Sequence, residues 1–255
     1  MSKIGAIAQS DTSIITDGLV FNMDFSKFAC YPRSGTTCTD LNASINGTFT
    51  NGATFTSDDL GAFVGDGVDD HIDCGNNAIF QSFPLTIEAW VRCDADKDRN
   101  AILTKGRSSG NQTDRDMDII WIDTSRTNMD FKVSDGSSFV VDLRVTKPSA
   151  EVWHHIVAQW DGTTNSNTAK LFTDNTLAGQ TTATGTGFRN AHDVFIGGQH
   201  PSNANRTWDG KIAVIRAYNR VLTTDEISIN YNALKERFGL WVSMIENILY
   251  LTLVN

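Results

Sequence analysis

The run Val152-Trp153-His154-His155-Ile156-Val157-Ala158-Gln159-Trp160-Asp161-Gly162 constrains the fold more than any other stretch. Alternation puts His154, Ile156, Ala158 and Trp160 on one face and Trp153, His155, Val157 and Gln159 on the other, the period of a strand within a sheet. Asp161-Gly162 predicts a tight hairpin turn after it. The heavy, largely apolar face has to be covered by a second sheet, because no helical stretch elsewhere is large enough to do so.

The same reading extends along the chain. Gly18 to Asp24 predicts a first strand, and Phe28 to Asn51 a long polar loop. Asn51-Gly52 reads as the hinge of a short pair around Thr48 and Thr54, and Asp66-Gly67 as the turn between strands within Ala62 to Gly75. Leu85 to Arg92 alternates cleanly, with Leu85, Ile87, Ala89 and Val91 facing one way, and predicts a core strand. Further strands are expected at 101–104, 117–122, 129–133, 139–144, 169–173, 193–196 and 211–218. About a dozen short strands with no helix between them predict an all-β, two-sheet antiparallel jelly-roll sandwich. One C-terminal amphipathic helix is added by the capping box Thr223-Thr224-Asp225-Glu226, the stripe Ile227, Tyr231, Leu234 and Phe238, and the closing Gly239.

The organisation follows as an N-terminal arm at 1–17, a single domain at 18–240 and an apolar C-terminal tail at 241–255. The tail is too short and too interrupted by Glu246 and Asn247 to span a bilayer. Trp241, Met244, Ile245, Ile248 and Leu249 fit one helical face, while Leu249, Leu251 and Leu253 fit a strand, so its period is ambiguous. Either way so much contiguous apolar surface predicts docking on a partner or on its own domain.

A formal net charge of -9 argues against nucleic acid or an anionic membrane as partners, since both require a basic face. Residues 1–10 carry one cation and no continuous apolar core, so no secretory signal is expected there. Assembly in a cytoplasm is the expectation, and Cys30, Cys38, Cys74 and Cys93 are then expected as free thiols without zinc spacing.

Four segments in order carry a family resemblance: Phe63-Val64-Gly65-Asp66-Gly67-Val68-Asp69-Asp70-His71-Ile72-Asp73, Leu85 to Val91, Trp153-His154-His155-Ile156-Val157 with Asp161-Gly162, and Ile215-Arg216-Ala217-Tyr218-Asn219-Arg220-Val221-Leu222. Over roughly 18–240 the chain resembles the laminin-G-like, concanavalin-A-like jelly-roll family. Its opening at Gly18 to Asp24, its Ser34 to Thr37 loop and its ending at Tyr231 to Leu240 are similar to versions of this domain in bacteriophage virion proteins. The resemblance implies two curved antiparallel sheets that bind glycans or proteins through rim loops. Some relatives hold calcium with an acidic residue in the last long strand. Here that neighbourhood reads Gly210-Lys211-Ile212-Ala213-Val214-Ile215, without a carboxylate, and Asp24 alone makes no site.

Candidate sites are few. His154 and His155 are adjacent on a strand and face opposite ways, so they cannot chelate one metal, and His154 reads as a satisfied inward histidine. Asp66, Asp69, Asp70 and Asp73 read as solvated turn carboxylates in preference to an acid-base pair. Asp114, Asp116 and Asp118 alternate onto one face as a weak calcium contact would require, although a charged edge strand is the favoured reading. Trp121, His200, Asn203, Asn205, Arg206 and Trp208 are the aromatic, amide and guanidinium mixture of a glycan site, whereas Trp90 and Trp153 are assigned to packing. Neither a Gly-X-Ser-X-Gly elbow nor a Cys-His arrangement with an orienting group is present, and no enzyme activity is expected.

Two functions fit these features. One is a non-enzymatic virion structural protein, decorating a capsid or forming part of a tail, docked on other virion proteins and on copies of itself through its termini. The other is an adhesion module for host-surface glycans. A polysaccharide hydrolase would need two acids facing each other across a sheet.

Overall fold

The computed structural model describes residues 13–42, 45–95, 100–106, 115–120, 127–187, 192–198 and 206–240. Strands are numbered in chain order. The first sheet runs β14 (Thr176–Thr181), β13 (Ala169–Thr173), β12 (Trp153–Trp160), β7 (Leu85–Cys93), β16 (Asp209–Tyr218), β5 (Ala62–Asp66), β4 (Thr54–Thr56), with β1 (Leu19–Asp24) paired to the far half of β16. The second sheet runs β11 (Phe139–Thr146), β10 (Asn128–Ser134), β9 (Arg115–Ile120), β8 (Ala101–Gly106), β15 (Val194–Ile196), β6 (His71–Asp73), β3 (Asn46–Thr50), β2 (Thr37–Thr39). All pairings are antiparallel, which gives the expected jelly-roll sandwich.

The alternation read from β12 and β7 sets the layers. Ile156, Ala158, Trp160, Leu85, Ile87, Ala89 and Val91 all enter the core between the sheets. Val157 on the opposite face packs with Phe172, Tyr218, Leu222 and Ile227, while Trp90 and Trp153 pack with Phe238, so both faces of β12 are buried. Helix α1 (Thr224–Leu234) and a 3-10 turn at Lys235–Phe238 cover that outer face. Trp90 stacks on Phe238 at 4.5 Å and on Tyr231 at 5.7 Å, which agrees with the packing role assigned to Trp90 and Trp153.

The helix starts where the sequence said it would. Thr223 Oγ1 accepts from Glu226 N at 3.2 Å, and Glu226 Oε2 accepts from Thr223 N at 2.9 Å. Arg220 holds the same carboxylate with two bonds of 2.8 and 2.7 Å. Gly239 closes the end in the left-handed conformation. Thr223→Ala is expected to cost about 1 kcal/mol, measurable by urea denaturation, because one orphan backbone donor loses its partner.

Several local expectations are corrected. Asn51-Gly52 does not close a hairpin: β3 and β4 belong to opposite sheets, so this turn is a corner of the sandwich, and the Asp66-Gly67 turn between β5 and β6 is a corner of the same kind. Asp161-Gly162 does lie in a hairpin, but the connection from β12 to β13 spans 161–168, so it is no two-residue turn. Strands β2 and β14 were not anticipated. The arm read as 1–17 is tied to the domain from Ile15, whose N donates to Asn230 Oδ1 at 2.8 Å and whose O accepts from the Tyr218 hydroxyl. All four cysteines are free and buried, and burial pushes the Cys38 thiol up to about 12 and the Cys30 thiol higher. Among the described residues no helix is long and apolar enough to cross a membrane. The docking residues Trp241, Met244, Ile245, Ile248 and Leu249 lie outside the described residues.

Candidate functional site

Register aligns one row of side chains across the outer face of the second sheet. Thr37, Thr48, Asp73, Phe195, Thr104, Asp118, Lys132 and Asp142 are successive partners on its eight strands. Their strand neighbours Cys38, Phe49, Ile72, Val194, Leu103, Met117, Phe131 and Val141 point into the core, so strand alternation sends the row outward. The middle of the row is buried, while its ends are open.

The β10–β11 end combines the groups that recognise polar, ring-shaped ligands. Lys132 Nζ lies 2.8 Å from Asp130 Oδ2 and 3.6 Å from Asp142 Oδ1, and Arg144 Nε lies 3.5 Å from Asp130 Oδ1 and 3.8 Å from Asp142 Oδ1. The ammonium sits 5.2 Å from the centre of the half-buried Phe139 ring. Two cations and two anions cancel, leaving fixed donors and acceptors beside an aromatic surface. The Arg144 and Asp142 side chains are 52% and 49% exposed, so they are open to a ligand.

At the middle strands β8 and β9 the polar groups are consumed internally. Asp116 Oδ2 accepts from His192 N at 3.0 Å, and Asp116 Oδ1 lies 3.1 Å from His192 Nδ1. Lys105 Nζ reaches Asn76 Oδ1 at 2.9 Å, the carbonyl of His192, and Asp116 at 3.9 Å. Burial pushes the Lys105 ammonium down, and Asp116 and Asp193 oppose this.

The structure separates the residues that sequence reasoning grouped. Trp121, His200, Asn203, Asn205 and Asp114 lie outside the described residues. Trp208 is corrected from a glycan-stacking residue to a core residue. Its ring belongs to the inter-sheet cluster with no exposed surface, and its Nε1 donates to Lys211 O at 3.2 Å, so neither face is open to a sugar. Arg206 is buried beside it. Asp116 and Asp118 face outward from β9 as their spacing required, but both are buried, and Asp116 is taken by Lys105 and His192. An aromatic ring beside a cation occurs instead at Phe139 and Lys132, with Arg144 farther along the same strand β11 as Phe139. The signal for it was the alternation of Asp142 and Arg144 against Val141, Leu143 and Val145.

Asp66, Asp69 and Asp70 do come together, with ligand atoms within 4.8 Å of one another. Their bonds are those of turn residues: Asp66 Oδ1 accepts from Val68 N at 2.7 Å and Asp70 Oδ2 from Asp66 N at 3.1 Å. Burial and the Asp66 charge raise the Asp70 carboxyl.

The two histidines of β12 lie on opposite faces, as alternation demands, and His154 is the satisfied one. His155 sits under α1, 3.2 Å from Glu88. His154 Nδ1 is 2.6 Å from Asp174 Oδ2, and its Nε2 is 3.4 Å from Ser149 Oγ. This hydroxyl, imidazole and carboxylate order looks like a nucleophile relay. The ring nitrogen, however, lies nearer the Ser149 carbonyl, at 3.1 Å, and Asp174 Oδ1 accepts from His155 N at 2.9 Å. These distances describe a staple that fastens the β13–β14 turn to the start of β12.

The outer face of the first sheet holds a buried polar network that the sequence did not signal. Glu88 accepts from Arg216 Nη1 at 3.0 Å and Asn230 Nδ2 at 2.6 Å, with the Tyr218 hydroxyl at 3.4 Å. Burial pushes the Glu88 carboxyl up, but Arg216, His155 and Asn230 together outweigh it and bring it to about 2. Arg237 similarly donates to Asp24 Oδ1 at 2.8 Å and to the carbonyls of Asp59 and Gly61, which locks the end of the helical segment to β1.

Comparison with solved structures places this architecture. Trypanosoma rangeli sialidase with sialic acid superposes with a TM-score of 0.62 at 16% identity, over 88% of this chain and 34% of that one. Domain 4 of the arabinanase AbnA from Geobacillus stearothermophilus, solved with arabinotriose, gives 0.61 at 16% identity, over 85% of this chain and 98% of that one. The botulinum neurotoxin serotype D binding domain gives 0.64 at 11% identity, over 85% and 52%. The chain therefore spans about a third of the sialidase. No curated protein matches it in sequence. The model of the Laminin_G_3 family matches residues 66–228. With that match across most of the sandwich, from the β5–β6 corner into the helix, the chain belongs to the Laminin_G_3 family of the concanavalin A-like lectin/glucanases superfamily.

Proposed function

We propose that this chain is a non-catalytic carbohydrate-recognition module that holds a neutral glycan at the β10–β11 end of the second sheet. The observation that carries the reading is the cluster of Phe139, Asp130, Lys132, Asp142 and Arg144, an aromatic ring beside fixed donors and acceptors of zero net charge, open at Asp142 and Arg144. Sugars are recognised by such mixtures, the ring taking the apolar face and the charged groups the hydroxyls. The family and the arabinotriose-bound domain support the same class of ligand. The nearest carboxylates of this cluster are engaged in ion pairs, which suits binding better than acid-base hydrolysis.

Purified protein is expected to bind neutral oligosaccharides on a glycan array, weakly per site and more strongly when clustered. Arg144→Ala and Asp142→Ala are each expected to weaken binding about tenfold, one lost charged hydrogen bond apiece, without altering the melting temperature. Absence of binding at high protein concentration, with and without calcium, overturns the proposal.

A second reading is favoured by the apolar run Trp241 to Val254 and by the bacteriophage-like opening and ending of the sequence. In it the module is a non-enzymatic virion component, assembled in a host cytoplasm and docked on other virion proteins or on its own copies through its termini. Deleting 241–255 is then expected to abolish incorporation into particles, and normal incorporation of the truncated chain rejects that role.

A further inference from the structure

We propose that the Lys105 ammonium is a built-in cation, filling a chamber that takes a divalent ion of the calcium type once this side chain is cut back. The inference is independent of the glycan reading. Around Lys105 Nζ stand a side-chain amide oxygen, Asn76 Oδ1 at 2.9 Å, the backbone carbonyl of His192, and the Asp116 carboxylate at 3.9 Å. All three are oxygens of the kinds that hard cations take. Neither the Lys105 nor the Asp116 side chain has any exposed surface, so bulk water does not neutralise the carboxylate.

The chamber is assembled by backbone that does not depend on Lys105. Cys74 N donates to Val194 O, and Val194 N to Gly75 O, both at 2.9 Å. These two bonds fix the segments that carry Asn76 and His192. Asp116 is aimed by two contacts from His192, at 3.0 and 3.1 Å. Lys105 itself stands opposite Val194 at the end of β8, where its chain can reach the chamber. Asp193 adds a second negative charge nearby. A buried carboxylate flanked by an amide oxygen and a carbonyl needs a positive charge, and this chain supplies one covalently. Of the weak calcium candidates Asp114, Asp116 and Asp118, Asp116 thus faces a lysine ammonium in place of an ion.

Lys105→Ser empties the chamber and leaves Asp116 in place, whereas Lys105→Met fills it with an apolar chain. The melting temperature of full-length Lys105→Ser is expected to fall below wild type and to rise by roughly 5 °C when calcium exceeds its dissociation constant about a hundredfold. Wild type and Lys105→Met are expected to gain less than Lys105→Ser under the same conditions. A Lys105→Ser protein that gains no more from calcium than wild type overturns the proposal. If Lys105→Ser does not fold alone, refolding with calcium is expected to recover it. Failure with calcium, while Lys105→Met/Asp116→Asn folds, also overturns the proposal.

Discussion

Glu88→Ala is expected to lower the unfolding free energy by about 3–5 kcal/mol, because it leaves the Arg216 guanidinium buried without its carboxylate. The pair lies 3.0 Å apart with no appreciable solvent contact on either side chain. The same substitution removes one of two acceptors of Asn230 on α1, at 2.6 Å, and leaves that amide its bond to the Tyr218 hydroxyl, at 2.9 Å. Urea denaturation of the single variant and of Glu88→Met/Arg216→Met separates the two costs. The double variant is expected to recover most of the loss, since two apolar side chains of similar volume leave no charge unpaired. An equal loss in both variants would show that the network acts through shape and not charge.

The same group sets a pH dependence. Its folded carboxyl titrates at about 2, below the ordinary 4.5, so its ionised form is favoured by folding. The stability it contributes is present above pH 4.5 and is lost as pH falls from there through about 2. Acid unfolding of wild type is therefore expected to be steep in that window and much shallower in Glu88→Met/Arg216→Met.

Gly210→Ala is the second large effect, expected at about 4 kcal/mol for a single added methyl. Gly210 has φ of +138°, and a Cβ there would sit 2.1 Å from Arg92 O and 2.8 Å from Asp94 N. Both are backbone atoms of the neighbouring strand, so no side chain can move aside. The position is also pinned from the other edge, where Gly210 pairs with Gly65, on which a Cβ would sit 2.4 Å from Trp208 O. The melting temperature is expected to fall by roughly 8–16 °C. An unchanged melting temperature would mean that β16 can shift its register at its first residues.

Much of the fold was legible because it rests on local periodicity. Leu85, Ile87, Ala89 and Val91 announced their face, and Thr223 with Glu226 announced a helix start, since a strand face and a capping box are set by residues within a few positions of each other. The corner at Asn51-Gly52 was read as a hairpin for the same reason. Turn chemistry reports that the chain reverses, not which sheet receives it. Strand β14 was missed because its Thr, Ala, Gly and Gln residues show no alternation; it is held by pairing with β13 and by Gly179, where a Cβ would strike Val145 at 2.6 Å.

The candidate site was less legible. Arg206 and Trp208 have the composition of a sugar site, but placement between the sheets took Trp208 into the core, and no sequence rule distinguishes an indole that fills a gap from one that stacks on a ligand. The neutral cluster of Asp130, Lys132, Asp142 and Arg144 with Phe139 depends on the pairing of β10 with β11.

The sequence by itself determined most of the strands, the helix and its caps, and the two-layer sandwich, because alternation and capping act over short separations along the chain. Only the tertiary structure decided which strands share a sheet, that Glu88 and Arg216 meet beneath α1, and that Lys105 closes on Asn76 and His192. Those contacts join residues 128, 29 and 87 positions apart. The physical reason is that charge pairing over such separations is set by how the layers stack, and no local propensity encodes it.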